Sequence, residues 1–282
     1  MRQMIRSALF VPAIKPRAVE KAAHLGADML VLDLEDSVGP GEKSDARAHI
    51  APSLKAWEAS GAIRCVRVNG LETEWGPADM RVAAEADAVL LPKVSSVGDL
   101  HDARAALNAH GRSTPIWAMI ETPLGVVNVN SIAGSSGTGL AGLMAGTNDL
   151  AKELRCASDM ERVALVPHLA SMVAAARAHG LYVLDGVFNQ FHDEAGLRDE
   201  ARQGRALGFD GKSLIHPSQI ESTHQIFGPS PDDLEKAARI VAAFADPENA
   251  GKGVIALDGD MVERLHLEAA RQLLSTAGHN DA

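Results

Sequence analysis

The sequence predicts an α/β chain folded as a closed (β/α)8, or TIM, barrel with a small C-terminal helical tail. Eight short apolar runs of strand length recur, at 7–12, 29–34, 63–68, 88–92, 116–120, 142–146, 181–185 and 212–216. Each is followed by a stretch of helix length, so the repeating unit is βα rather than a block of strands. The runs are continuous rather than alternating, which reads as strands buried on both faces of a parallel sheet. An open doubly wound sheet would want a glycine-rich turn after its first strand, and residues 12–17 (PAIKPR) contain no glycine.

The connecting stretches carry helix signals in order. From Pro16 to Leu25 the apolar residues Ala18, Ala22 and Leu25 share a helical face, and Gly26 is a natural stop. Ser44 to Trp57 places Ala46, Ile50, Leu54 and Trp57 at helical spacing. Asp159 to His179 reads as one long Ala-rich helix closed by Gly180. The barrel domain is expected to span 1–227, where the GPSP cluster at 228–231 breaks the pattern. The remainder, 228–282, reads as a helical lid or oligomerisation extension. It has a helix at 232–245, a polar glycine-rich segment at 246–260, and a terminal helix from Met261 to Leu274.

The 282 residues are 46% hydrophobic and 23% charged, enough to bury a large core. A net charge of −10 argues against a nucleic-acid or membrane-surface binder, which needs a basic field. Cys65 and Cys156 offer neither a disulfide framework nor metal spacing, which suits a reduced, cytoplasmic setting. No apolar run approaches the roughly 20 residues that span a bilayer.

In a barrel of this kind the chemistry lies at the C-terminal ends of the strands. There the sequence places Glu35 and Asp36, Arg67 and Asn69, Lys93, Glu121, Thr147 to Asp149, Asp185 and His216. Glu35, Asp36, Glu121 and Asp149 supply oxygen without matching His or Cys, which suits a hard cation such as Mg²⁺. Glu121 and Asp149 follow neighbouring runs and can meet at one ion. The alternative is that each acid pairs with a base or caps a helix. Arg67 stands in an otherwise buried run and needs an anion, either a rim acid or a substrate carboxylate. Arg6, Lys15, Arg17 and Lys21 surround the first run, where they serve phosphates or form a solvated helix face. His216, before Pro217, reads as a capping residue more readily than as a base. No G-x-S-x-G elbow, P-loop or H-E-x-x-H is present.

The chain resembles the citrate lyase β-subunit-like acyl-CoA lyases of the HpcH/HpaI aldolase superfamily, relatives of malyl-CoA and citramalyl-CoA lyases. The matching segments are RSALFVPA (6–13), GADMLVLDLEDSVGP and KSDAR (26–40, 43–47), VRVNG (66–70), LLPKV (90–94), IETPLGV (120–126), AGTNDLA (145–151) and LGFDGKSLIHPSQI (207–220). The resemblance implies Mg²⁺ on Glu121 and Asp149, and Arg67 on the oxo-acid part of the substrate. It implies Glu35 and Asp36 ordering the metal's water shell. Arg6, Lys15 and Lys21 fall near the coenzyme A phosphates, and a homotrimer or hexamer is implied. The tail GKGVIALDGDMVERLHLEAA (251–270) matches relatives that place an acid in a neighbouring subunit's site. That acid is usually Asp in Met-Ile-Asp, and here Glu263 follows Met-Val.

These residues point to cleavage of a 3-hydroxyacyl-CoA (citramalyl, malyl or citryl type) to acetyl-CoA and a 2-oxo acid, or the reverse condensation. Two other readings remain open at this stage: a coenzyme A-independent class II pyruvate-type aldolase, and the β subunit of a citrate lyase complex working on an acyl-carrier protein.

Overall fold

The computed structural model describes residues 3–157 and 162–276. Eight parallel strands close into one barrel: β1 (Ser7–Pro12), β2 (Met29–Asp33), β3 (Ile63–Arg67), β4 (Ala88–Leu91), β5 (Ile116–Ile120), β6 (Leu140–Ala145), β7 (Tyr182–Asp185) and β8 (Gly211–Leu214). β1 pairs with β2 on one side and β8 on the other, so no strand edge is left open. The connecting helices are α1 (Pro16–Ala22), α2 (Lys43–Ala48), α3 (Ile50–Ala56), α4 (Gly76–Ala83), α5 (Val97–Ala109), α6 (Pro123–Val127), α7 (Val129–Ala133), α8 (Thr147–Leu154), α9 (Val166–Ala178) and α10 (Glu194–Leu207), with α11 (Ile220–Phe227) after β8. The barrel expectation holds.

Strand geometry decides what points inward. Alternate side chains face opposite sides of a sheet. Met29 and Val31, Ile63 and Cys65, and Trp117 and Met119 pack together in the barrel interior. Two residues further along each strand, the same parity reaches Asp33, Arg67 and Glu121. The inward rows thus run from apolar to ionisable at their C-terminal ends.

Two helical expectations need correction. Ser44 to Trp57 is two helices, α2 and α3, interrupted at His49. Pro52 has no N–H to offer the carbonyl of Ala48, so the ladder breaks one turn before it. Within the stretch expected to be helical from Asp159, residues 163–165 form a turn rather than helix and α9 begins at Val166, with Pro167 in the first turn. Asp159 itself lies outside the described residues.

The chain divides into two compact units, Ile5–His224 and a unit formed mainly by the segment from Gln225 onward. The second unit contains α12 (Pro231–Ala245), an antiparallel hairpin of β9 (Val254–Leu257) and β10 (Asp260–Glu263), and α13 (Arg264–Thr276). Ile240, Val241, Ile255, Val262, Leu267 and Leu274 form its core. The hairpin corrects the reading of 246–260 as a polar segment and of 261–263 as helix. Asp258 and Gly259 both have positive φ, 53° and 89°. That is the two-residue Asp-Gly turn whose twist matches paired strands. Among the described residues no helix is long and apolar enough to cross a membrane.

Candidate active site

Asp33 and Arg67 are register partners on β2 and β3. Asp33 accepts from Nε and Nη2 of Arg67, each at 2.7 Å, in a buried bidentate pair. Burial opposes both charges, yet each partner more than offsets it. Asp33 titrates below the usual carboxylate range and Arg67 above the usual guanidinium value. Nη1 of Arg67 is directed to other groups. It lies 2.9 Å from Oε2 of Glu35 and 3.4 Å from Oδ2 of Asp36. The Glu35 contact is misaligned, for that buried oxygen accepts no hydrogen bond. The other Glu35 oxygen is held by Nζ of Lys93. Burial raises the Glu35 pKa, with Arg67 and Lys93 only partly countering it.

Glu121 follows β5 and is 1% exposed. Its Oε1 accepts the backbone N–H of Lys93 at 2.8 Å. Burial, reinforced by the Glu35 charge, pushes its pKa up to about 7. Gly146, before α8, makes room for it: a Cβ there would stand 2.3 Å from Oε2 of Glu121. Asp149 lies in the first turn of α8. Asp33, Asp36, Arg67, Glu121, Asn148 and Asp149 line a single cavity of about 360 Å³.

The matched family model, HpcH/HpaI aldolase/citrate lyase, covers residues 6–217. The chain belongs to this family. It is 48% identical over 274 residues to a (3S)-malyl-CoA thioesterase of Cereibacter sphaeroides, covering 96% of this chain and 94% of that one. It is 36% identical over 281 residues to citrate lyase subunit beta of Haemophilus influenzae, covering 96% of each. Among solved structures it superposes on Mycobacterium tuberculosis CitE in complex with magnesium, acetoacetate and coenzyme A. That match has TM-score 0.82 and 30% identity, and covers 99% of this chain and 100% of that one. A second M. tuberculosis citrate lyase beta structure, with oxaloacetate and magnesium, matches at TM-score 0.70 and 30% identity over 80% of this chain and 98% of the other.

The donor set suits the hard cation held by those magnesium-bound neighbours. Asp33, Glu35, Asp36 and Glu121 face Arg67 and Lys93, so among these residues the acids outnumber the bases. Glu121 is a buried carboxylate whose charge lacks a full partner, and Oε2 of Glu35 is an orphan acceptor. Both features favour a nearby cation. Among the described residues no three His, Cys, Asp or Glu side chains are grouped to hold a metal. A cation on Glu121 and Asp149 would take its other ligands from water and substrate, as Mg²⁺ commonly does.

Arg6 does not come to this rim, because it precedes β1 and parallel strands put that position at the opposite end of the barrel. There its backbone N–H and guanidinium bind Asp28 at 2.7–2.9 Å. Lys15 and Lys21 are exposed and border an open groove beside α1. Glu263 is the last residue of β10, and its N–H donates to Nδ1 of His266 at 2.9 Å. His216 is a cap: its Nδ1 accepts from the Ser218 backbone, and its ring stacks on Phe191 at 4.7 Å. Cys65 and Cys156 are free thiols.

Two residues escaped the sequence reading. Asp33 lies inside the run MLVLDL, where a carboxylate needs a partner, and Arg67 is the one in register. Lys43 is buried and donates to the carbonyls of Leu34 and Glu35 at 2.9 and 2.8 Å, fixing the end of β2. Nothing in its local pattern distinguishes it from a helix-surface lysine.

Proposed function

We propose that this family member is a Mg²⁺-dependent carbon–carbon lyase that cleaves a short 3-hydroxyacyl-CoA of the malyl or citramalyl type to acetyl-CoA and a 2-oxo acid. The supporting observation is that Glu121, Asp149 and Arg67 line one cavity. Glu121 and Asp149 would hold the ion, which supplies Lewis-acid stabilisation of negative charge on the substrate oxygens. Arg67, fixed on one side by Asp33, presents Nη1 to the carboxylate beside the hydroxyl-bearing carbon. Asp36, exposed at the mouth, is assigned to accept the 3-hydroxyl proton. The C2–C3 bond then breaks, C3 becomes the oxo carbon, and the electron pair moves to the thioester as an enolate. Glu263 of a neighbouring copy is assigned to protonate C2. Arg67, the cation among the cavity-lining residues, and an ion on Glu121 and Asp149 would together offset the alkoxide charge that retro-Claisen cleavage develops.

A second reading is hydrolysis of the same thioester to the free 3-hydroxy acid and coenzyme A. It is favoured by the 48% identity to a malyl-CoA thioesterase across nearly the whole chain. Incubating the purified protein with Mg²⁺ and malyl- or citramalyl-CoA separates the two. Acetyl-CoA with glyoxylate or pyruvate supports cleavage, whereas free coenzyme A with malate or citramalate supports hydrolysis. Glu121→Ala should retain the native circular dichroism and lose either activity by about 10³-fold or more. Wild-type turnover by that variant, or equal turnover of hydroxy acids lacking coenzyme A, overturns the reading.

A further inference from the structure

We propose that Lys93 is a positioning residue that keeps Arg67 available to the substrate carboxylate by holding Glu35 out of hydrogen-bond alignment with it, while its own amide fixes Glu121. The proposal rests on the reading that Arg67 binds that carboxylate. Lys93 does not border the cavity lined by Arg67, Glu121 and Asp149, so it acts through the two acids rather than on the substrate.

The first observation is conformational. Lys93 has φ of 53°, in the left-handed region that long side chains rarely enter. Its surroundings impose that conformation. The next amide, Val94, donates to the Met119 carbonyl at 3.2 Å. Ser95 Oγ donates to the Lys93 carbonyl at 3.0 Å and meets Oγ1 of Thr122 at 2.7 Å. Asn128 Nδ2 donates to the Ser95 carbonyl at 2.8 Å. Gly125 allows the approach, since a Cβ there would stand 2.5 Å from the Val94 carbonyl oxygen. The β4 loop is therefore fastened to the turn after β5, and the strained peptide aims its N–H at Oε1 of Glu121. Oε2 of Glu121 is left beside Gly146 at the cavity wall.

The second observation is the fork at Glu35. Asp33 occupies Nε and Nη2 of Arg67, so Nη1 is the arm left for substrate. Asp36 accepts from that arm at 3.4 Å at the exposed mouth, and Glu35 is the buried competitor for it, at 2.9 Å but misaligned. Its opposite oxygen is held by the Lys93 ammonium. Without that ammonium, Glu35 is free to turn and close on Nη1, replacing the substrate carboxylate with an internal one.

The test is direct binding of pyruvate, as a 2-oxo acid probe, to the Mg²⁺-saturated protein by calorimetry, with KM and kcat measured in parallel. Lys93→Met should weaken pyruvate binding and raise KM by about tenfold or more, the scale of one charge-assisted hydrogen bond. Lys93→Gly, which accepts positive φ without strain and keeps the N–H, should lose as much and so excludes misfolding as the cause. Lys93→Arg should recover most of the loss. All three should bind Mg²⁺ within about twofold of wild type, as the backbone amide is retained. Adding Glu35→Gln to Lys93→Met should restore pyruvate affinity, because the competitor's charge is gone. Wild-type pyruvate affinity in Lys93→Met, a loss that Glu35→Gln does not reverse, or a parallel loss of Mg²⁺ affinity each overturns the proposal. Arg67→Ala is the separate control: if it binds pyruvate normally, the reading of Arg67 fails whatever Lys93 does.

Discussion

Two buried ionic clusters sit on the same barrel, and they differ in how completely their charges are paired. Under β7 and β8, Arg162, Asp185, Glu200 and Lys212 form a balanced quartet. Arg162 Nη1 reaches both oxygens of Asp185 at 2.7 and 3.0 Å, and Lys212 Nζ binds Asp185 at 3.1 Å and Glu200 at 2.6 Å. Its two cations match its two anions, and the Asp185 pKa lies below the usual carboxylate range because Lys212 and Arg162 outweigh burial. At the mouth, around Arg67, acids outnumber bases, Glu35 keeps an unbonded buried oxygen, and the Glu121 pKa is raised. Both clusters join in-register strand residues, Asp185 with Lys212 and Asp33 with Arg67. Pairing alone therefore does not mark a site. The unmet charge does, since a carboxylate kept ionised and under-paired in a low dielectric costs stability unless something else binds there.

Breaking the balanced cluster should cost most. Lys212→Met leaves Asp185 and Glu200 short of a buried cation, and urea unfolding should show a loss of about 3–5 kcal/mol. A loss under about 1 kcal/mol would mean the quartet is dispensable.

Neutralising the unbalanced cluster should do the reverse. In metal-free protein, Glu121→Gln should gain up to about 3 kcal/mol at pH 8, from a pKa pushed up to about 7 against an ordinary 4.5. The sign follows from the raised folded-state pKa. Below pH 4.5 the wild-type carboxyl is protonated in both states and carries no penalty. The penalty grows between pH 4.5 and about 7 and is complete above it. The gain should therefore shrink toward zero at pH 4, and a gain of equal size at both pH values would refute the account. The variant trades activity for stability, as under-paired functional groups often do.

The smallest effect belongs to an exposed pair. Arg112 and Glu85 meet at 2.6 Å, with side chains 50% and 58% exposed. Arg112→Ala should change stability by less than about 1 kcal/mol, and less still in high salt. A larger loss would show that pairing matters at this barrel even without burial.

Much of the mouth was legible in the chain. Parallel strands and the barrel rule put Glu35, Asp36, Arg67, Lys93, Glu121 and Asp149 at one end, and they are there. Counting by twos from the apolar interior would also have found Asp33, since Met29, Val31 and Asp33 share a parity. Arg6 stands at the other end because it precedes β1, and nearness to a strand carries no direction by itself. The Asp-Gly hairpin of the tail is hard to see in the chain because its flanking strands are four residues each and lie in a glycine-rich stretch.

The sequence by itself determined the eightfold βα order, the rim that carries the ionisable residues, and the family. The first two follow from periodicity and chain direction, which are local, and the family from the matching segments. Only the tertiary structure decided which oppositely charged groups meet. Arg67 could have served any of several acids; strand register gave it to Asp33, and the left-handed peptide at Lys93 brought Glu121 and Glu35 under one residue. Such choices depend on contacts across 28 to 58 positions of chain, and no local pattern encodes which charge will be left unmatched when the barrel closes.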